Sequence, residues 1–288
     1  MLIVLPVLIN CSEPTVPQTS IVRPVTITGL DLPNLTPTQA ICRPASADHG
    51  LTVVLNGHSL NLCSNCMNWD INCCQGILSG EAALIAGITH LTATLRALNI
   101  DNLTVELLGR SMPATDSSAN LYAQTLSKAE AQELGVNRRY FAVSKHGKIN
   151  GPDGSFVEFM PADRLSVEIV HDLPPPLGLQ CVRYDERLDD FAADVAWARD
   201  FIDYPPNPPE HLIPAWHNVS PHNYPFIAVA DQKTLNNLRS PDEPGRHLLL
   251  DFLGGLARLN QPIRGRFVVF RPNRPLIKKL LIALEGKF

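Results

Sequence analysis

The sequence predicts an α+β fold in two halves, each built from strands and two helices. Three observations predict it. Strand-like and helix-like segments are both numerous, yet they do not alternate strictly, as a doubly wound sheet would require. Of 288 residues, 45% are hydrophobic and 18% charged, which allows a substantial core without disulfide staples. Turn signals at Gly147, Gly151, Pro152 and Gly154 crowd the middle of the chain, and the halves are placed at residues 1–135 and 136–288.

The apolar start, Met1 to Asn10, has no Lys or Arg before Arg23. It is shorter than the roughly 20 residues that span a bilayer. It reads as part of a loose extension over residues 1–18 rather than a signal or a lipid anchor at Cys11. Ile21 to Gly29 and Gln39 to Leu55 read as strands around a Pro/Asn/Asp break at Asp31 to Pro37. Glu81 to Leu98 is rich in Ala, Leu and Ile without Pro and reads as helix. A strand at Leu103 to Leu108 and a helix at Ser117 to Leu134 follow. The second half reads as a strand (Leu165 to Val170), a helix (Asp185 to Asp203), a Pro-rich loop (Pro205 to Pro225) and a strand (Phe226 to Ala230). A helix (Pro244 to Leu259), a strand (Arg266 to Phe270) and a closing helix (Pro275 to Leu284) complete it.

The net charge of −4 and the lack of any basic run argue against nucleic acid as a partner. No segment is expected to cross a membrane. The seven cysteines are Cys11, Cys42, Cys63, Cys66, Cys73, Cys74 and Cys181. An odd count suits a reducing compartment. The run Cys63, Cys66, Cys73, Cys74 is poorly spaced for structural zinc, because adjacent Cys73 and Cys74 would point to opposite faces of a strand. Buried free thiols are expected instead.

The most specific local pattern is Arg246-His247-x3-Asp251 inside a predicted helix. Residues four apart share a helix face, and imidazole and carboxylate are both zinc ligands. Such a pair is also common as a plain hydrogen bond. A catalytic zinc needs a third protein ligand, and His90, also in a predicted helix, is the chosen candidate. His58, His146, His211, His217 and His222 fall in loop-like contexts.

Two segments then resemble a known family. His90 to Asn102, followed by Pro113, Asp116, Ser117, Ser118 and Ala119, is similar to the pattern EHLxAALxGLGIDN…PxxDGSA. Asp242 to Leu256, continuing to Gln261, Pro262, Ile263 and Gly265, is similar to DExxRHKxLDxxGDL…PIxG. Both are patterns of the UDP-3-O-acyl-N-acetylglucosamine deacetylases of lipid A synthesis. Weaker similarity runs through Ile21 to Gly57, where Thr28 to Asn34 stand in place of the family's GLHTG, and covers Ala198 to Phe201 against ARTF. The resemblance implies two similar α+β domains with helices sandwiched between their sheets. It implies Zn2+ held by His90, His247 and Asp251, a UDP-acyl-sugar substrate, and a cytoplasmic location. Glu243 matches the family's DE pair and is expected to support His247 as an acceptor.

Several positions depart from that pattern. Thr89 stands where the family has its general base, a glutamate, and threonine cannot accept a proton near neutrality. Arg274 stands in for a histidine; it can stabilise an oxyanion but cannot shuttle a proton. The aspartate that orients that histidine is Gly255 here. Asp200 replaces an oxyanion-supporting threonine, with the wrong charge for that task. Leu248 replaces a lysine, and Asp31 lies nearest the missing GLHTG histidine as a possible substitute base. The prolines between Asp203 and Tyr224 disfavour the family's acyl-chain insert. The expectation is a zinc-binding relative whose deacetylation is weak or lost; the alternative is an active zinc deacetylase on the same or a related N-acyl sugar.

Overall fold

The computed structural model describes residues 16–31, 35–62, 67–68, 77–80, 83–109, 111–203, 220 and 223–285. The first half runs β1 (Pro17–Ile21), β2 (Val25–Asp31), β3 (Thr36–Pro44), β4 (Leu51–Leu55), β5 (His58–Asn61), β6 (Met67–Asn68), β7 (Ile77–Gly80), β8 (Ala83–Ala86), α1 (Ile88–Ala97), β9 (Leu103–Leu108), α2 (Asn120–Leu126) and β10 (Ala131–Asn137). The second runs β11 (Phe141–Ala142), β12 (Gly147–Asn150), β13 (Phe156–Met160), β14 (Leu165–Asp172), β15 (Leu179–Asp185), α3 (Phe191–Asp194), β16 (Phe201–Asp203), β17 (Ile227–Ala230), β18 (Lys233–Thr234), α4 (Glu243–Leu256), β19 (Ile263–Phe270) and α5 (Arg274–Leu284).

The two main sheets share one topology. Their strand orders are β2-β3-β9-β4-β5 and β12-β13-β19-β14-β15. In each, the last strand enters the centre, antiparallel to one hairpin (β3, β13) and parallel to the other (β4, β14). A parallel neighbour demands a crossover connection, and α1 and α4 lie on those crossovers. Small three-stranded sheets, β6-β7-β8 and β16-β17-β18, sit at matching points of the two connections. The central strands alternate as half-buried strands should: Leu103, Val105 and Leu107 of β9 are buried, as are Ile263, Gly265, Phe267 and Val269 of β19.

The helices lie between the sheets. α1 packs on α4, α4 on β14 and β15, and α5 on β12 and β13. Every residue from Ile88 to Leu95 is buried, the signature of a helix enclosed on all sides. Close approach of α1 and α4 depends on Gly254. A Cβ there would stand 2.3 Å from the Thr89 carbonyl oxygen, so only glycine fits without displacing a helix. The Thr92 hydroxyl spans the same contact, donating to the carbonyls of Thr89 (2.8 Å) and Gly254 (3.2 Å).

Asp101 and Asn102 have a structural task. Asp101 Oδ2 accepts from the backbone N–H of Thr19 and from Arg138 Nε, both at 2.8 Å. Asn102 Oδ1 accepts from the Gly50 N–H, and its Nδ2 donates to Gln18. Together they fasten β1 to the turn between α1 and β9. β1 pairs in turn with β10, in which residues 135 and 136 lie.

Several elements differ from the sequence expectations. The helix expected from Glu81 begins at Ile88. Gly87, at φ 82°, precedes it, and Ala83–Ala86 pairs with β7 as a strand. The helix expected over Ser117 to Leu134 stops at Leu126, passes through a 3-10 turn at Ser127–Ala129, and becomes β10. The helix expected over Asp185 to Asp203 is reduced to Phe191–Asp194, capped by Asp190, whose carboxylate accepts from the N–H groups of Ala192 and Ala193. Gln39 to Leu55 is two strands, β3 and β4, with a turn between them. The N-terminal run to Asn10, the cysteines at 11, 63, 66, 73 and 74, and nearly all of the Pro-rich segment lie outside the described residues. Cys42 is a buried free thiol, which burial pushes up to about 12, and Cys181 is an exposed one.

Candidate metal centre

Two helices bring three side chains to one point. His90 comes from the first turn of α1, and His247 and Asp251 from one face of α4, four residues apart. Their ligand atoms all lie within 4.8 Å of one another. His90 Nε2 and His247 Nε2 are each 3.8 Å from an oxygen of Asp251. The imidazole rings meet edge to face with centroids 5.2 Å apart. Two ligands of a tetrahedral zinc, with bonds of about 2.0–2.1 Å, are separated by about 3.4 Å. Small side-chain movements therefore close the set around one ion.

The donor atoms fit a metal on independent grounds. Both imidazole Nε2 atoms are buried and have no hydrogen-bond partner, which is costly for a polar atom unless something else engages it. His247 Nδ1 lies 3.0 Å from the Ala198 carbonyl oxygen. A carbonyl only accepts, so Nδ1 carries the proton and the Nε2 lone pair faces Asp251. Two imidazoles and a carboxylate form a common protein ligand set for zinc.

The electrostatics split the two histidines. Burial drives His90 down to about 3, helped by any positive charge on His247, so His90 is neutral near pH 7. Burial opposes charge on His247 as well, but Asp200, Asp251, the Ala198 carbonyl and Glu243 together outweigh it and hold its pKa above the usual value. Burial raises Asp251 to about 6; His247 pulls it down, Asp200 adds to the rise, and Arg274 opposes it.

The other expected site residues fall as follows. Thr89 is fully buried where α1 touches α4 and brings no carboxylate to the triad. Arg274 is the first residue of α5, fixed by Asn273, whose side chain accepts from the Leu276 N–H at 2.9 Å; its charge is felt at Asp251. Asp31 ends β2 and is buried, outside the three-residue group. Glu243 does not serve as the acceptor for His247. Its carboxylate is taken up by Arg199, with Nε at 2.8 Å, and by the backbone N–H groups of Arg199 and Arg239. The ion pair thus holds the strand of chain that presents the Ala198 carbonyl to His247. No residue type signals that carbonyl in a sequence, since every residue carries one.

Asp200 stands beside His247 but, like Asp31, outside the three-residue group. Its Oδ1 lies 3.5 Å from His247 Nε2. Two cavities, of about 290 and 650 Å³, open elsewhere, at the far ends of α1 and α4, and share Arg96 and Arg138 on their walls. Neither is lined by the triad, so ligand geometry rather than cavity volume locates the centre.

The family profile described as LpxC, UDP-3-O-acyl N-acetylglycosamine deacetylase, matches residues 18–285. The UDP-3-O-acyl-N-acetylglucosamine deacetylase of Nitratidesulfovibrio vulgaris is 28% identical, over 93% of this chain and 87% of its own length. That of Anaeromyxobacter dehalogenans is 29% identical over 92% and 87%. That of Brucella melitensis is 27% identical over 93% and 94%. A match over nearly the whole chain, on a duplicated α+β fold whose paired helices bring His90, His247 and Asp251 together, shows that this chain belongs to the LpxC family of UDP-3-O-acyl-N-acetylglycosamine deacetylases.

Proposed function

We propose that the protein is a zinc-binding member of its family that engages a UDP-acyl-sugar in the cytoplasm and has lost most of the deacetylation rate. The observation that carries the zinc reading is the pair of buried, partnerless imidazole nitrogens facing Asp251. Zinc held by His90, His247 and Asp251 would supply Lewis acidity toward an amide carbonyl.

The protein's own groups explain the slow chemistry. Proton transfer needs a side chain whose pKa lies near the working pH. Thr89 provides none. Arg274 offers a fixed positive charge that can hold an anionic oxygen but not pass on a proton. Asp200 places a negative charge beside His247, where a developing oxyanion would be repelled. Loss of a general base costs on the order of 10² to 10⁴ in rate. The partners act as a unit, so their losses do not multiply. The expected deficit is about 10³ or more.

The test is direct. Acetate release from UDP-3-O-acyl-N-acetylglucosamine is followed with and without added zinc, and zinc content is measured in wild type and His247→Ala. One zinc per wild-type chain, little in the variant, and very slow release are expected. Turnover at ordinary enzyme rates, about 1–10³ per second, would establish an active deacetylase instead. Equal zinc in both proteins would remove His247 from the site.

A further inference from the structure

We propose that the two cavities at the far ends of α1 and α4 form one binding site for a small organic carboxylate with an apolar tail, held by the Arg96 guanidinium. The site lies apart from the metal centre. Arg96 is about 9 Å further along α1 than His90, and no member of the triad lines either cavity.

The cavities adjoin, since Arg96, Arg138, Gln261 and Pro262 wall both. The larger measures about 650 Å³, and small-molecule pockets run from about 300 to 1,000 Å³. Its floor is apolar: Ala93 and Ala97 come from α1, Leu253 and Leu256 from α4, and Ile263 from β19. A guanidinium at the mouth of an apolar chamber suits an anion that carries an apolar body.

Arg96 is the charged group left short of a partner. Among the described residues its guanidinium has one, Asp101, at 3.7 Å, beyond hydrogen-bond reach. That carboxylate is already engaged by Arg138 Nε and by the Thr19 N–H, both at 2.8 Å. Arg138 is satisfied further by Asn99 Oδ1, also at 2.8 Å. Two guanidinium groups thus share one carboxylate, and Arg96 holds the weaker share. Its side chain is only 20% exposed, so water replaces little of what is missing. Burial lowers its pKa to about 10, with Asp101 opposing the fall and Arg138 adding to it. The group stays charged at neutral pH.

The other acids on the walls are taken up elsewhere. Asp163 accepts from Arg187 Nη1 at 2.9 Å. Glu186 accepts from the Leu165 N–H at 2.9 Å and faces the charges of Arg187 and Arg264. Asp48 accepts from Gln18 and pairs with Arg139, and Glu133 is exposed on β10. A bound carboxylate would supply the missing partner, because a guanidinium presents a planar pair of N–H donors that fits two carboxylate oxygens. The dipole of α1 favours a cation in its last turn, but it does not account for the chamber in front of Arg96.

The experiment uses the full chain as purified. Octanoate is titrated by calorimetry into wild type, Arg96→Met, Ala97→Leu and His247→Ala, with acetate, 1-octanol and inorganic phosphate as further probes. Methionine keeps the length of the side chain without its charge. Leucine narrows the apolar chamber and leaves the guanidinium in place, so Ala97→Leu decides the matter if circular dichroism shows Arg96→Met unfolded. Octanoate should bind wild type and His247→Ala equally. It should bind Arg96→Met about 10- to 100-fold more weakly, and Ala97→Leu at least about 10-fold more weakly. Acetate and octanol, each with half of the chemistry, should bind wild type at least about 10-fold more weakly than octanoate. No octanoate binding by wild type, or equal affinity in wild type, Arg96→Met and Ala97→Leu, would overturn the proposal. Loss of binding in His247→Ala would assign the carboxylate to the metal centre and overturn it too. Phosphate bound as tightly as octanoate would make the ligand a bare anion, against the class proposed.

Discussion

His90 and His247 sit 5.2 Å apart, centroid to centroid, yet their protonation is pushed in opposite directions. Burial holds His90 down to about 3. The unfolded chain binds a proton at this residue near pH 6.5, and the folded chain does not. Stability of the metal-free protein should therefore fall as pH drops from 6.5 towards 3, by an amount on the order of 5 kcal/mol at full titration. His247 has the opposite sign. Its raised pKa contributes stability that is complete below pH 6.5 and disappears as pH rises through the folded value. Urea unfolding of the chelator-treated protein across pH 4 to 8 measures the sum. His90→Gln should flatten the acid limb, and an unchanged slope would show that His90 is not buried neutral. Thr89 gives a second prediction at this scale. Thr89→Glu introduces a carboxylate but leaves Asp200 beside His247, so acetate release should rise little. Combined with Asp200→Thr, it should rise by at least about 10². The two changes meet at one centre and should be strongly non-additive.

At the level of elements, the α1–α4 contact decides whether the ligands converge at all. Gly254→Ala places a methyl 2.3 Å from the Thr89 carbonyl, and overpacking of this kind costs about 1–3 kcal/mol. The variant should unfold at lower urea and bind zinc more weakly, because the displaced helices carry His90 and His247. The same elements show what a single sequence reveals. α4, α5, β9, β14 and β19 were legible, since apolar periodicity, Pro near helix starts and short apolar runs act locally. The triad was legible because His247 and Asp251 share a helix face and the resemblance pointed to His90. The misread elements are those that distant partners override. Ala131–Asn137 has a helix-like composition but pairs with β1, more than 100 residues earlier. The Ala-rich run after Asp190 could have continued as helix, but its backbone is taken up by the centre. Ala198 gives its carbonyl to His247, Arg199 its N–H to Glu243, and Asp200 its N–H to Ser117. The proximity of Asp200 to His247 follows from those long-range bonds, which periodicity cannot register.

Across the whole molecule, the β1–β10 pair is tied to the turn before β9 at Asp101. Its carboxylate joins β1, through Thr19, to Arg138 just after β10, and the Arg138–Asp101 pair is almost wholly buried. Removing one partner of a buried ion pair costs about 3–5 kcal/mol. Asp101→Ala should lower the unfolding free energy by that amount. A shift under about 1 kcal/mol would place this ion pair among the weak surface type. The repeated topology has a further effect on how the chain is made. In each sheet the central strand is the last to be synthesised: β9 ends at Leu108 and β19 only at Phe270. At about 5–20 residues per second, the second sheet gains its middle strand roughly 10–30 s after the first. During that interval the nascent chain leaves the edges of β13 and β14 that β19 will join uncovered. Unpaired edges of this kind invite pairing with other chains, so a ribosome stalled before residue 263 would release a fragment suited to chaperone capture rather than to independent folding.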